Sequence, residues 1–397
     1  MSIGEFPVIL SLMQRISCIG DVMKKSLSLI LSLIILPGLF CVTVCAEEVH
    51  TSARASALYC VNNATFLYED NADERLPMAS TTKILTALIT LEEAAQDNRS
   101  VTFTQEMTAE GSSMYLQIGE QVRLHDLAVG MLMQSGNDAA NAAAIAISGS
   151  YEAFAKRMND RVAEIGMKDS HFVTPSGLDD DDHYSTARDM ALLMAAAMEN
   201  DDFRSITAQT SMTVDFIEPA DKRVAYPNHN KLLRLYEGCI GGKTGYTDLA
   251  GRCLVSCAER DGLRLIAVTL DDGDDWDDHM ALYDDAFSHY TLYTPDSYVT
   301  YYASVVGGET DQAALCIPKD SSFVIPAPSA DRIRQTVYLP SFVYAPLKRG
   351  DTISRIVYTF DDKKIAEVPL RSADTIDYDD RPRGLIQLIK DVLKWHS

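Results

Sequence analysis

The chain has 397 residues, 47% of them hydrophobic and 23% charged, with a formal net charge of -22. That length and apolar content suffice for two packed domains and exclude disorder as the default state. The acidic balance repels phosphate backbones and anionic headgroups, which argues against a nucleic-acid partner and against non-specific membrane adhesion.

From Met23, Lys24 and Lys25 precede an apolar run, Leu27 to Val44, broken by Pro37 and Gly38; Val44-Cys45-Ala46 then precedes Glu47 and Glu48. A basic start, an apolar middle and a small residue before a charged stretch are the parts of a secretory signal peptide. Residues 1–46 are therefore read as leader, with translation starting at Met23, cleavage after Ala46 and an exported mature chain. An uncleaved anchor is the alternative, since the run is near the lower length for a spanning helix, about 17 residues. Cys60, Cys239, Cys253, Cys257 and Cys316 remain, an odd set without a C-x-x-C pair. They imply neither a disulfide framework nor a zinc site, and buried free thiols are expected.

Ala57 to Val61 and Thr65 to Tyr68 flank Asn62-Asn63 as strand, turn and strand. A helix is expected from Ser80, and its residues 84–95 are apolar nearly all round, which places it inside the domain. Leu124 to Ala146, Tyr151 to Ile165 and Ala187 to Glu199 also carry helical patterns, so the middle of the chain reads as all-helical. From Gly242 the pattern changes to strands, Arg252 to Ala258 and Leu263 to Leu270, joined by Arg260-Asp261-Gly262, whose Asp-Gly pair suits a tight hairpin. The acidic run Asp271 to Asp278 lacks the spacing of a calcium loop and is expected to be a solvated loop. An amphipathic segment, His279 to Tyr290, leads into a region rich in Val, Ile, Thr and Tyr, from about Tyr298 to Leu370, with prolines throughout; this suggests a small all-β domain. Finally, Arg381 to Trp395 places Leu385, Ile386, Leu388, Ile389, Val392 and Leu393 on one helical face opposite a basic one. Such a segment reads as an in-plane anchor to a membrane surface, the alternative being a helix docked on its own β domain.

Ser80-Thr81-Thr82-Lys83 is the sole S-x-x-K of the chain and opens the apolar helix. At that spacing both side chains share a helix face. A serine hydroxyl needs a base, and a lysine one turn later serves if burial and a second cation lower its pKa. Alone the motif is weak, because it occurs by chance in a chain this long. Ser135-Gly136-Asn137, between two helical stretches, and Lys243-Thr244-Gly245, before the hairpin, change that: the three triplets in this order mark serine β-lactamases and penicillin-binding proteins. His183 and Asp189 are read as structural rather than as parts of a serine triad, because no G-x-S-x-G elbow exists.

With Phe172-Val173-Thr174-Pro175-Ser176-Gly177-Leu178, His183-Tyr184-Ser185-Thr186-Ala187 and Gly242 to Asp248, the chain resembles low-molecular-weight penicillin-binding proteins of the D-alanyl-D-alanine carboxypeptidase family over roughly residues 50 to 370. The resemblance implies an α/β (α+β) fold like that of β-lactamases and transpeptidases: an antiparallel sheet flanked by helices, an inserted helical subdomain, and a small all-β domain. The implied boundaries are 47–292 for the catalytic domain, 293–373 for the β domain and 374–397 for linker and amphipathic helix. It further implies that Ser80 is acylated, Lys83 is the general base and Ser135 relays the proton to the leaving amine. Asn137 would hold the substrate amide and orient Lys83, Lys243 and Thr244 would bind the terminal carboxylate, and Gly245 would let the substrate backbone approach. The backbone N–H groups of Ser80 and Tyr246 would form the oxyanion hole. The implied partners are stem peptides ending in D-Ala-D-Ala and β-lactam inhibitors, with no metal or cofactor, outside the cytoplasm. A β-lactamase is the nearest rival, but no E-x-x-x-N follows Ser135 and the extra β domain does not suit one. A non-catalytic wall-binding protein, or an enzyme acting on cross-links, are the other readings.

Overall fold

A computed structural model of the chain describes residues 49–327 and 332–379. The expected leader and the amphipathic segment from Arg381 onward lie outside the described residues.

The chain opens with β1 (Ala55–Cys60) and β2 (Thr65–Asp70), then a short 3-10 turn, Ala79–Thr82, that runs into α1 (Lys83–Ala94). The hairpin of β3 (Ser100–Thr102) and β4 (Gln121–Arg123) precedes the helices α2 (Leu124–Met133), α3 (Asn137–Ser148), α4 (Tyr151–Ile165), α5 (Ala187–Glu199) and α6 (Asp201–Thr207). A second hairpin, β5 (Ser211–Asp215) with β6 (Arg223–Pro227), is followed by α7 (Leu232–Leu235). The chain then enters β7 (Cys239–Thr247), β8 (Gly251–Arg260), β9 (Leu263–Leu270) and α8 (Asp275–His289).

The main sheet is antiparallel, ordered β2-β1-β9-β8-β7, so β7 is an edge strand. Asp261 and Gly262, with φ of 50° and 80°, turn the β8–β9 hairpin in the left-handed conformation that two-residue loops favour. Alternation sorts the two faces of the sheet. Val255, Cys257, Ile266 and Val268 join the main core, whereas Ser256 meets His279 and Tyr283 of α8 on the opposite face. Inside that core α1 buries Ile84, Leu85, Leu88 and Ile89 almost completely, as its all-round apolar sequence requires.

The middle block from Leu124 to Glu199 has helices as its named elements, as its pattern requires; the hairpins β3–β4 and β5–β6 flank it, and each of their strands buries a single residue, too little for a legible alternation. The stretch from Leu124 to Ala146 forms two helices, α2 and α3, on either side of the Ser135-Gly136-Asn137 triplet, as expected. Ser135, with φ of 59°, breaks it, and Gly136 passes so close to Met114 that an added Cβ would lie 2.9 Å from the Met114 backbone nitrogen. The other helix ends follow ordinary capping: Ser150 accepts from Ala153 N, Thr186 from Asp189 N, and Gly166 closes α4 in the left-handed region.

The C-terminal strands are β10 (Tyr290–Tyr293), β11 (Tyr301–Val306), β12 (Gln312–Cys316), β13 (Phe323–Pro326), β14 (Ile333–Tyr338), β15 (Val343–Tyr344), β16 (Thr352–Phe360) and β17 (Lys363–Ser372). β10 pairs with β13, and the rest form a sheet ordered β14-β16-β17-β12-β11-β15 around Ala313, Leu315, Ile356, Tyr358 and Leu370. Ile376 is buried in the same core. Among the described residues no helix is long and apolar enough to cross a membrane.

Candidate active site

The Ser80 turn is shaped by its neighbours. Ala79 adopts φ of 48°, a left-handed conformation costing a non-glycine residue on the order of 1–2 kcal/mol. Glycines on both sides hold it there. A Cβ on Gly177 would lie 1.9 Å from the Ala79 carbonyl oxygen, and one on Gly245 would lie 3.0 Å from both Met78 O and Thr81 N. The space on the Cβ side of Gly245 is thus taken by the chain's own Ser80 turn, while the residue also lines the cleft.

Lys83 is fully buried, with Nζ 2.8 Å from Ser80 Oγ and donating to the Ser176 carbonyl at 2.6 Å. Burial, then the nearby Lys243, push its pKa well below the usual lysine range, with Asp138 opposing. A neutral amine in this place donates to Ser176 O and turns its lone pair to the Ser80 hydroxyl. Asn137 does not orient Lys83: its amide is committed to Glu110 O at 2.6 Å, while its buried Oδ1 has no partner among the described residues. The carbonyl of Ser176 does that work instead.

Lys243, on β7, reaches Ser135 Oγ at 3.0 Å and donates to Thr244 O at 2.6 Å. It too is buried, and burial lowers its pKa to about 7. Ser80 and Ser135, each bonded to its buried lysine, line one cleft of about 530 Å³, together with Thr244, Gly245 and Tyr246. The structure therefore brings the three sequence triplets, contributed by α1, the α2–α3 break and an edge strand, to one place.

Other cleft residues had no sequence signal. His229, Lys231, Arg252, Asp275 and Trp276 line its far wall. Arg252 pairs with Asp275, Nε to Oδ2 at 3.2 Å, and lies 5.9 Å from the Trp276 ring. The acidic run is thus not simply a solvated loop: Asp272 and Asp275 are buried, and Asp275, Asp277 and Asp278 form the first turn of α8, where negative side chains suit the helix dipole.

His183 accepts from the backbone N–H groups of Val173 and Thr174 at 2.9 and 3.2 Å through Nδ1, so its proton is on Nε2, 2.9 Å from Thr82 Oγ1. Burial drops its pKa to about 4. Asp189 is engaged elsewhere, by Asp169 N and Ser170 Oγ. Neither residue forms a triad with Ser80. Instead His183 ties the Phe172–Leu178 loop, and with it the Ser176 carbonyl, to the Ser80 turn.

A sequence model described as D-alanyl-D-alanine carboxypeptidase matches residues 43–274, and one described as penicillin-binding protein 5, C-terminal domain, matches residues 287–378. The chain is 31% identical to D-alanyl-D-alanine carboxypeptidase DacF of Bacillus subtilis over 87% of its length and 90% of that protein's. It is 32% identical to DacA of Escherichia coli K12 over 80% of this chain and 82% of the other. Penicillin binding protein 5 from Haemophilus influenzae superposes with a TM-score of 0.69 at 28% identity, covering 83% of this chain and 98% of that one. The chain belongs to the D-alanyl-D-alanine carboxypeptidase family and is a serine-type peptidase with that fold.

Proposed function

We propose that the chain removes the terminal D-Ala from peptidoglycan stem peptides through an acyl-enzyme on Ser80. The observation that carries this reading is the buried amine of Lys83, 2.8 Å from Ser80 Oγ, where burial and Lys243 outweigh Asp138 and favour the neutral form. Lys83 takes the serine proton as Oγ attacks the carbonyl of the penultimate D-Ala. The oxyanion that forms is received by the backbone N–H groups of Ser80 and Tyr246, each donor contributing about 3 kcal/mol. Ser135, linked to Lys243, passes the proton to the leaving amine, free D-Ala departs, and water activated by Lys83 then cleaves the ester.

Lys243 and Thr244 receive the terminal carboxylate, and the unpaired Oδ1 of Asn137 accepts the substrate's amide N–H. A carboxylate arriving beside Lys243 favours its charged form, so binding itself turns this lysine cationic. A β-lactam follows the same first step and acylates Ser80.

The reading places the mature chain outside the cytoplasm, exported by residues 1–46 and held at the membrane surface by the basic amphipathic segment Arg381–Trp395. The test is D-alanine release from diacetyl-Lys-D-Ala-D-Ala by the mature chain, with Ser80→Ala as control. Release that Ser80→Ala abolishes supports the reading; penicillin labelling without release points to cross-link chemistry instead.

A further inference from the structure

A second cavity, of about 330 Å³, lies in the C-terminal β domain, away from every residue assigned to the peptidase site. Tyr293 of β10, Tyr301 of β11 and Tyr358 of β16 form its aromatic walls, with Gln335 of β14 and Asp296 at exposed positions. Rings of Tyr293 and Tyr358 lie 5.8 Å apart, and Phe323 backs both.

The hydroxyls of Tyr293, Tyr301 and Tyr358 have no hydrogen-bond partner among the described residues, and that of Tyr358 opens on the cavity although the residue as a whole is 1% exposed. Three phenol hydroxyls are thus left to bond water or a ligand that enters. Burial and the two neighbouring tyrosines push the Tyr358 pKa up to about 12, so it stays a proton donor. Phenol hydroxyls, an amide and a carboxylate thus converge on a space at the small end of the range for ligand pockets.

The lining also excludes classes of ligand. Among the described residues no Lys, Arg or His lines the cavity, and Asp296 adds negative charge, so phosphates, carboxylates and acidic peptides are disfavoured. A neutral ring with apolar C–H faces for the tyrosines and several hydroxyls for the polar groups fits both observations.

We propose that this cavity binds a neutral hexopyranose residue, with Tyr301 and Tyr358 against the ring and Gln335 and Asp296 on its hydroxyls. That the sugar belongs to a wall glycan rests on the proposed function; the binding of a sugar does not. The site would hold the enzyme on glycan strands while the cleft samples stem peptides.

The test is titration of the mature chain, previously acylated with penicillin, with a peptide-free N-acetylglucosamine tetramer in a calorimeter. Binding is expected to persist after acylation and to weaken at least tenfold in both Gln335→Ala and Tyr358→Phe. Tyr358→Phe keeps the packed ring, and Gln335→Ala removes an exposed side chain, so both variants are expected to unfold at the wild-type temperature. D-alanine release from a soluble peptide is expected to be unchanged in Gln335→Ala, which separates failure of this proposal from failure of the peptidase reading. No binding, equal binding in both variants, loss of binding on acylation, or displacement by a sugar-free stem peptide would each overturn the proposal.

Discussion

Lys83 and Lys243 are both buried lysines hydrogen-bonded to a serine, and burial disfavours the charge of both, yet their neighbours fit them for different work. On the helix side, Lys83 is desolvated, repelled by Lys243, and held by the Ser176 carbonyl, which its amine can still reach as a donor when neutral. On the edge-strand side, Lys243 feels burial alone and rests near neutrality at about 7. The same side chain therefore serves as a proton acceptor in one place and as an inducible cation in the other. The difference comes from neighbours, not residue type.

The largest expected effect comes from removing the acceptor. Lys83→Met should slow Ser80 acylation by about 10²–10⁴-fold, the range for a positioned general base, with little change in KM. Stopped-flow acylation by a fluorescent penicillin reads it.

Next in size is the acid sensitivity of the helix side. The folded pKa of His183, about 4, lies below the ordinary 6.5, so the unfolded chain takes up the proton first. Stability should be full above about pH 6.5 and fall by roughly 3 kcal/mol as pH drops toward 4, where the loss levels off. His279, lowered to about 3, acts in the same direction. Chemical denaturation across this range, compared with His183→Gln, isolates the first contribution as a flatter slope.

Lys243→Ala sharpens the contrast directly. Loss of a charge-assisted bond of about 1.5–3 kcal/mol should raise KM ten- to a hundredfold. Without the neighbouring cation the Lys83 pKa should also rise, moving the acid limb of kcat/KM to higher pH. The smallest effect is expected at the seam of the two regions. Gly245→Ala forces Met78 and Thr81 to give by a few tenths of an ångström, costing about 1–3 kcal/mol of stability, read by thermal unfolding.

The paired lysines and serines were legible in the sequence because their chemistry needs fixed types at fixed spacing, and the hairpin because Asp261-Gly262 can adopt the left-handed region. What orients Lys83 was not, since the Ser176 carbonyl is a backbone group that any residue carries. Only Gly177, obliged to pass the Ala79 carbonyl at a distance no Cβ allows, hints at that contact. The far wall of the cleft was equally hidden: Lys231, Arg252 and Trp276 come from the turn before α7, from β8 and from α8, and the pairing of Arg252 with Asp275 exists only after β8 and α8 meet. The β3–β4 and β5–β6 hairpins escaped notice because strands that bury one side chain each leave almost no periodic signal.

The central claim is that Lys83 is neutral before substrate arrives. The rate of Ser80 acylation by a penicillin, followed from pH 4 to 10, tests it most directly. The account predicts a rate that has already levelled off below the pH range in which an ordinary lysine titrates. A rate still climbing tenfold per pH unit between 8 and 10, as an ordinary lysine titrating near 10.4 would give, would contradict it.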